Sequence, residues 1–321
     1  MQSTREKILE SIEPVVAASK HVSIVPAKVE EVAQLLMSEP VPAWNNDLQL
    51  LGTPEETAYY YFFLDSAQGC FWGMKGETRW EYQIDGEWRG GYYAFSRAVK
   101  DAFRRDQRLL DANYLATISE RDFAAMFPGR NTLLLLKERH DVIKENYSIL
   151  RDRFGGSVLK LLDAAEQDVD KLVALLLENF PTFRDQVQFE GKLVYFLKRA
   201  QIFPSDLHFS GVDHPLFTFK NLENLTIFAD YKLPQLLEQL GVIEYDEELM
   251  SDIVEERLIP TSSRKELEIR ANTIAACEQI VAAMRARGRT ITTQEFDWLL
   301  WVKAQATKFT KPHHKTLTIF Y

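Results

Sequence analysis

Residues 264–287 read RKELEIRANTIAACEQIVAAMRAR, and this stretch is the clearest guide to the fold. Its apolar residues follow the spacing of a long amphipathic helix rather than the alternation of a strand. A second amphipathic stretch runs from Gln294 to Ala306, and Lys311-Pro312 ends the helical pattern beyond it. The C-terminal part of the chain is therefore predicted to be helical.

The same helical period governs most of the preceding chain. Ser3 and Glu6 have the spacing of a capping box, and the apolar residues that follow predict a first helix. Another helix is predicted near Val29 to Met37, and the period returns from Tyr92 onward. Further helical patterns cover residues 133–150, 158–162 and 169–177. We therefore expect a mainly α protein.

A few short segments have the character of strands instead. Val22 to Val25 predicts a short strand, and the continuous apolar run Tyr59 to Leu64 predicts a buried one. Apolar residues then alternate with polar ones up to Asp85-Gly86, a strong hairpin signal. Thr316 to Tyr321 is a β-prone tail.

These segments predict a small antiparallel sheet near residues 59–90, so the fold class is mainly α within the α+β class. The chain shows no linker, repeat or low-complexity tract. We expect a single compact domain over residues 1–321, with a small β-containing part near 55–95 and a helical remainder.

Composition limits the classes of function. The 321 residues are 46% hydrophobic, which is enough for a sizeable core. The formal net charge of −9 argues against a protein that gains affinity by neutralising a nucleic-acid backbone. Two cysteines without paired metal-ligand spacing fit a reducing compartment, and no signal peptide or membrane span is evident. A cytoplasmic protein is expected.

The sequence offers few motifs of metal or nucleotide chemistry. It lacks a phosphate-binding glycine loop, a zinc-type cluster and a nucleophile elbow. Histidine and aspartate are concentrated at Asp206, His208, Asp213 and His214, which are residue types that bind transition metals. A polar loop explains these four residues equally well. We expect no metal and no cofactor.

Two further segments are candidates for ligand binding. One combines glycine with aromatic residues, and the other carries two adjacent cations. Gly69-Cys70-Phe71-Trp72-Gly73 offers either a ring that stacks on a ligand or a hairpin end packed with aromatics. Lys198 and Arg199 lie near the end of a helix predicted to begin at Gly191, where cations complement the helix dipole. The same two cations equally suit an anionic ligand.

A carboxylate lies between aromatic residues in residues 226–235, which read TIFADYKLPQ. Pro234 is suited to the start of a helix, so Asp230 is an ordinary candidate for a helix cap. Flanked by Phe228 and Tyr231, the same carboxylate is also suited to stabilise a developing positive charge, as glycosyl transfer requires.

Six segments together carry a resemblance to a known family. They are CFWG, KRAQI, TIFADYKLPQLLEQLG, EIRANTIAACEQI, DWLLW and PHHKTLTIFY, in this order between about Val22 and Tyr321. In these segments the chain resembles the queuosine salvage family, the queuosine 5′-phosphate N-glycosylases. The combination of KRAQI with FADY-x-x-PQ is the most specific part.

The resemblance implies a fold similar to helix-hairpin-helix DNA glycosylases and an activity that releases queuine from queuosine 5′-phosphate during transfer RNA turnover. Lys198 and Asp230 are the matching catalytic pair. Asp230 would stabilise or capture the oxocarbenium-like sugar. Because a 7-deazapurine lacks N7, Lys198 would assist the leaving base or only orient Asp230.

The substrate also needs residues that hold its base and phosphate. The candidates for stacking on the base are Phe71, Trp72, Phe228, Tyr231 and Trp301. Asp65 and Asp297 are candidates for the guanine-like edge and the cationic amine, although a strand-end acid and a solvated helix acid are the ordinary explanations. The 5′-phosphate would contact Arg199, and Arg270 or His314 are further candidates.

Two other functions remain open at this point. One is a non-catalytic protein that binds a 7-deazapurine, and the other is a glycosylase that acts on polymeric nucleic acid. The acidic composition weighs against the second. We expect a small-molecule substrate, with neither a nucleic-acid polymer nor a membrane as partner.

Overall fold

The computed structural model describes residues 2–44 and 47–321, and these residues are mainly helical. The helices are α1 (Thr4–Ala17), α2 (Pro26–Leu36), α3 (Pro54–Ala67), α4 (Tyr92–Arg105), α5 (Ala112–Leu115), α6 (Glu120–Ala124), α7 (Leu136–Phe154), α8 (Val158–Ala164), α9 (Val169–Asn179), α10 (Lys198–Phe209), α11 (Lys232–Gln239), α12 (Glu247–Val254), α13 (Arg264–Ala286) and α14 (Thr293–Ala306). The mainly α prediction is confirmed.

The strands form three separate antiparallel pairs among the described residues. They are β1 (Val22–Ile24) with β6 (Ile243–Tyr245), β2 (Glu81–Ile84) with β3 (Glu87–Gly90), and β4 (Gln186–Phe189) with β5 (Lys192–Tyr195). The predicted hairpin at Asp85-Gly86 is confirmed, because Ile84 pairs with Glu87 across it. Each pair covers a small part of the helical body.

The predicted helices of the sequence are largely confirmed. The Ser3 side chain accepts the Glu6 amide at the start of α1, and the Glu6 side chain completes the capping box. The long stretch that opens at Arg264 is α13, which packs against α1, α2, α11 and α14. None of the described helices is long and apolar enough to cross a membrane.

The aromatic run Tyr59 to Leu64 is a helix, so the prediction of a buried strand is wrong. It lies in α3, which begins with Pro54 and is capped by Thr53, whose hydroxyl accepts the Glu56 amide at 3.2 Å. Helices α4, α7, α8 and α10 pack around α3 and bury it. A segment buried on every side loses the periodicity that distinguishes a helix from a strand. The small sheet therefore lies at residues 81–90, rather than 59–90.

The helix that carries Lys198 also differs from the prediction. Residues after Gly191 form β5, and α10 begins at Lys198 after Leu197 turns the backbone with a φ of 55°. Lys198 and Arg199 thus lie in the first turn, where the helix dipole disfavours cations. The β-prone tail from Thr316 to Tyr321 does not form a strand, and Lys315, just before it, forms an isolated bridge with Leu258.

Candidate active site

A cavity lies between helices α4, α10, α11 and α14 and the loop that follows α3. Its unfilled space, including the mouth, is about 1050 Å³. The described lining includes Gln49, Gln68, Phe71, Arg79, Tyr92, Lys198, Ile202, Asp206, Phe228, Asp230, Tyr231, Lys232, Gln294, Asp297, Trp298 and Trp301. The cavity therefore brings together KRAQI, FADY and DWLLW, which are distant in sequence.

Helix α10 forms one wall. Lys198, Ile202 and Asp206 are spaced by four residues, so they share the face that lines the cavity. Lys198 is 7% exposed, and its ammonium donates a hydrogen bond to Oε1 of Gln68 at 2.9 Å. Burial lowers the pKa of Lys198, while the charge of Asp230 opposes this effect.

Asp230 is both a helix cap and a wall of the cavity. Its Oδ1 accepts the backbone amides of Lys232 at 2.7 Å and Leu233 at 3.1 Å at the start of α11. The side chain is buried and lines the cavity on the same side as Phe228 and Tyr231. Among the described residues, no ion pair joins Asp230 to Lys198. The two groups face the same space without neutralising each other directly.

Asp297 and the aromatic residues complete the walls. Oδ1 of Asp297 accepts the backbone amide of Phe228 at 2.8 Å, and burial raises the pKa of Asp297 to about 8. The Trp298 and Trp301 rings stack with centroids 5.5 Å apart. Flat rings and a buried carboxyl group suit a planar heterocycle with N–H donors.

The family of the chain is shown by comparison with known proteins. A sequence model of the family described as "Queuosine salvage protein" matches residues 48–321. The chain belongs to this family. A protein of Sphaerobacter thermophilus named "Queuosine 5'-phosphate N-glycosylase/hydrolase" is 37% identical over 98% of this chain and 97% of its own.

Two eukaryotic relatives carry the same printed name. The protein of Dictyostelium discoideum is 35% identical over 83% of this chain and 79% of its own. The protein of Bos taurus is 29% identical over 97% of this chain and 98% of its own. The resemblance drawn from six short segments is thus confirmed along the whole chain.

Most of the predicted site residues lie together in the cavity, but several do not. Phe71, Phe228, Tyr231, Asp297 and Trp301 line the cavity with Lys198 and Asp230. Trp72 lines an adjoining cavity instead, where the Lys315 ammonium lies 5.4 Å from its ring. Asp65 belongs to α3 rather than to a strand end, and it is buried next to Gln68, which donates to it at 2.7 Å.

The cations predicted to bind phosphate lie elsewhere. The Arg199 guanidinium is buried and donates to the backbone carbonyls of Ser66 and Thr182. Arg270 is paired with Asp185 through two hydrogen bonds of 2.8 and 2.7 Å. His314 is buried outside the cavity, and burial lowers its pKa to about 3, so it is neutral near pH 7. Arg199 and Arg270 therefore stabilise the fold through buried contacts.

Two cations that the sequence reasoning missed do reach the cavity. Arg79 and Lys232 lie where the main cavity meets the adjoining one, together with Phe71 and Tyr231. Neither cation takes part in an ion pair with any residue that the structure describes. Burial lowers the pKa of Lys232, and the nearby Arg79 lowers it further. The sequence feature that could have identified Lys232 as a cavity residue is its position two residues after Asp230.

Asp206 was also missed as a cavity residue, because it was grouped with the histidines that follow it. The structure separates that group: His208 and His214 accept backbone amides of Phe219 and Leu216, and Asp213 is exposed. Within residues 2–44 and 47–321, the side chains that converge as metal ligands do are His21, Asp246 and Glu248, which lie outside the cavity. Asp206 follows Lys198 by eight residues, which is about two helical turns. This spacing would have predicted that the two side chains share one face of the helix.

The buried carboxyl groups make stability depend on pH. Burial raises the pKa of Asp206 above its unfolded value of about 4, so the folded state keeps a proton that the unfolded state loses as pH rises. Folding stability should therefore fall as pH rises from the unfolded pKa to the folded pKa of Asp206, by up to about 1.4 kcal/mol per pH unit for one such group. Asp206→Asn should gain stability relative to the wild type between about pH 5 and pH 8.

Denaturant unfolding of both proteins at several pH values measures this gain. Asp163→Asn, at an exposed position of α8, is the matched control and should give a difference that does not change with pH. A constant difference for Asp206→Asn as well would mean that Asp206 is ionised throughout in the folded protein.

Proposed function

We propose that the protein hydrolyses the N-glycosidic bond of queuosine 5′-phosphate and releases queuine for salvage into transfer RNA modification. The observation that carries this proposal is the placement of Asp230 and Lys198 on the walls of one aromatic cavity, in a chain whose relatives bear the name of this activity. A protein that only binds a deazapurine would have no use for two opposite charges held apart around the bond.

Asp230 is assigned to the sugar. As the C1′–N9 bond breaks, its electron pair leaves with the base and positive charge develops at C1′. A carboxylate fixed by two backbone amides is oriented before the reaction, so it stabilises this charge without having to reorganise. Water supplies the hydroxyl group at C1′, and the departing base gains a proton. Whether Asp230 also bonds covalently to C1′ is decided by trapping a glycosyl-enzyme intermediate.

Lys198 is assigned to the base. A 7-deazapurine has no N7 to protonate, so negative charge on the leaving base must be met at another atom. The Lys198 ammonium hydrogen-bonds to Gln68 rather than to Asp230, which supports a role beside the base over one of orienting Asp230. Its lowered pKa also favours donation of a proton.

The remaining walls are assigned to recognition. Phe71, Phe228, Tyr231 and Trp301 offer faces for stacking, and Asp297 offers oxygens to the guanine-like edge. Arg79 and Lys232 take the phosphate in place of Arg199, because both lie where the two cavities meet and neither forms an ion pair with a described residue.

We further propose that residues 1–321 are one domain, because a continuous cluster of buried apolar side chains runs from Ile8 to Ala304. We also propose that the fold is similar to that of helix-hairpin-helix DNA glycosylases. Two unpaired cysteines fit a cytoplasmic enzyme. An acidic protein of this kind acts on a mononucleotide rather than on a nucleic-acid polymer.

Asp230→Asn should lower turnover of queuosine 5′-phosphate by at least about a hundredfold, since it removes one preorganised charge. The variant should fold and still bind queuine, because asparagine is as good a helix cap as aspartate. Chromatography of released queuine and calorimetry of queuine binding measure the two effects. Asp246→Asn is the matched control, because Asp246 caps α12 outside the cavity through the Leu249 amide. Near-normal turnover of a folded Asp230→Asn would remove Asp230 from the mechanism.

The 5′-monophosphate should be cleaved with a kcat/KM about tenfold to a hundredfold higher than the nucleoside, since one charge-assisted contact contributes about 1.5 to 3 kcal/mol. Arg79→Ala should shrink this ratio, while Arg89→Ala, exposed on β3 and outside both cavities, should preserve it. A ratio that survives in Arg79→Ala and in Lys232→Met would show that the phosphate binds elsewhere.

Turnover should persist after treatment with a chelator, since the described carboxylates of the cavity do not converge on one point. The measurement compares queuine release before and after dialysis against EDTA. Activity that is lost with chelator and restored by zinc or manganese would contradict the proposal.

A further inference from the structure

Besides Asp230 and Asp297, the cavity has a further acidic group, Asp206, that the proposed mechanism does not use. Asp206 lies two turns along α10 from Lys198, about 12 Å further along the helix at 1.5 Å per residue. Burial raises the pKa of Asp65 of α3, and the like charge of the nearby Asp206 raises it further. Asp206 is 1% exposed and Asp65 is fully buried.

These two carboxyl groups have few partners. Oδ2 of Asp206 accepts one long hydrogen bond from the Tyr92 hydroxyl at 3.4 Å. Asp65 accepts from Gln68, but its Oδ2 has no partner among the described residues. No cation forms an ion pair with either group in the part of the chain that the structure describes. Burying acids in this way costs stability unless a cation enters.

We propose that Asp206, supported by Asp65, binds the ammonium group carried by the 7-substituent of a 7-deazaguanine nucleotide. This inference rests on the proposed function, whose substrate carries a protonated amine between the base and its cyclopentenediol. Asp206 lines the main cavity itself, so an ammonium there meets its carboxyl group directly, and the positive charge favours the ionised form of that group. An ammonium group supplies the charge and the donors that the two acids lack.

The distribution of charge gives the substrate one orientation. Arg79 and Lys232 border the adjoining cavity, whereas Asp206 does not. A nucleotide with a 5′-phosphate and a cationic 7-substituent matches this separation. With the phosphate at the cations and the amine at Asp206, the glycosidic bond falls between them, where Lys198 and Asp230 lie. Asp206 is thus a specificity residue that selects nucleotides with a cationic 7-substituent.

The experiment compares two synthetic nucleotides that differ in this charge. They are the 5′-phosphates of 7-aminomethyl-7-deazaguanosine, which is cationic, and 7-methyl-7-deazaguanosine, which is neutral. The wild type should cleave the cationic one with a kcat/KM about tenfold to a hundredfold higher. Asp206→Asn should bring this ratio close to one, and Asp206→Glu should restore part of it. Asp246→Asn should leave the ratio unchanged.

Binding of the two free bases gives a second measurement that needs no turnover. Calorimetry should show the same preference for the aminomethyl base in the wild type and its loss in Asp206→Asn or, if that variant does not fold, in Asp206→Ser. Equal affinity of the wild type for both bases would overturn the inference. A preference for the cationic compound that survives in the Asp206 variants would also overturn it. The same holds for a preference that is lost only in Asp297→Asn. Failure of the proposed function looks different, because then the wild type cleaves neither nucleotide nor queuosine 5′-phosphate.

Discussion

One buried ion pair holds both halves of the candidate active site. The Asp185 carboxylate accepts two hydrogen bonds from Arg270 and a third from the backbone amide of Lys198 at 3.2 Å. Arg270 also donates through Nε to the carbonyl of Ala229 at 3.3 Å, next to Asp230. The pair therefore connects α13 to the start of α10 and to the segment before α11. Removing either partner would leave the other charge buried and would remove a support from the segments that carry Lys198 and Asp230.

Other buried arginines have a similar structural role at the end of α3. Arg199 donates to the carbonyls of Ser66 and Thr182, while Arg139 donates to those of Ala67 and Cys70. The last carbonyls of a helix lack partners within it, and the helix dipole favours cations there. These arginines thus fix the loop that carries Gln68 and Phe71. A cation that satisfies the backbone in this way is not available to a ligand.

The sequence predicted the residues that line the candidate site better than the residues that support them. Helix periodicity identified α13 and α14, and the family motifs identified Lys198 and Asp230, because these signals are local. The periodicity of Tyr59 to Leu64 was uninformative, since α3 is buried on every side. The roles of Arg199 and Arg270 depend on Thr182 and Asp185, which lie 17 and 85 residues away along the chain. No local pattern distinguishes an arginine that binds a carbonyl from one that binds a phosphate.

Burial of the ionisable side chains lowers the stability of the fold, and it also strengthens the electrostatic interactions in the candidate site. Desolvation raises the pKa of Asp297 and lowers that of Lys198, because burial disfavours the charged form of both groups. The same low dielectric strengthens the attraction between a carboxylate and a developing positive charge. Asp230 keeps its effect in this environment because two backbone amides satisfy its Oδ1. The neighbouring acids have fewer such donors, and a substrate that brings its own N–H groups and positive charge would relieve the cost of burying them.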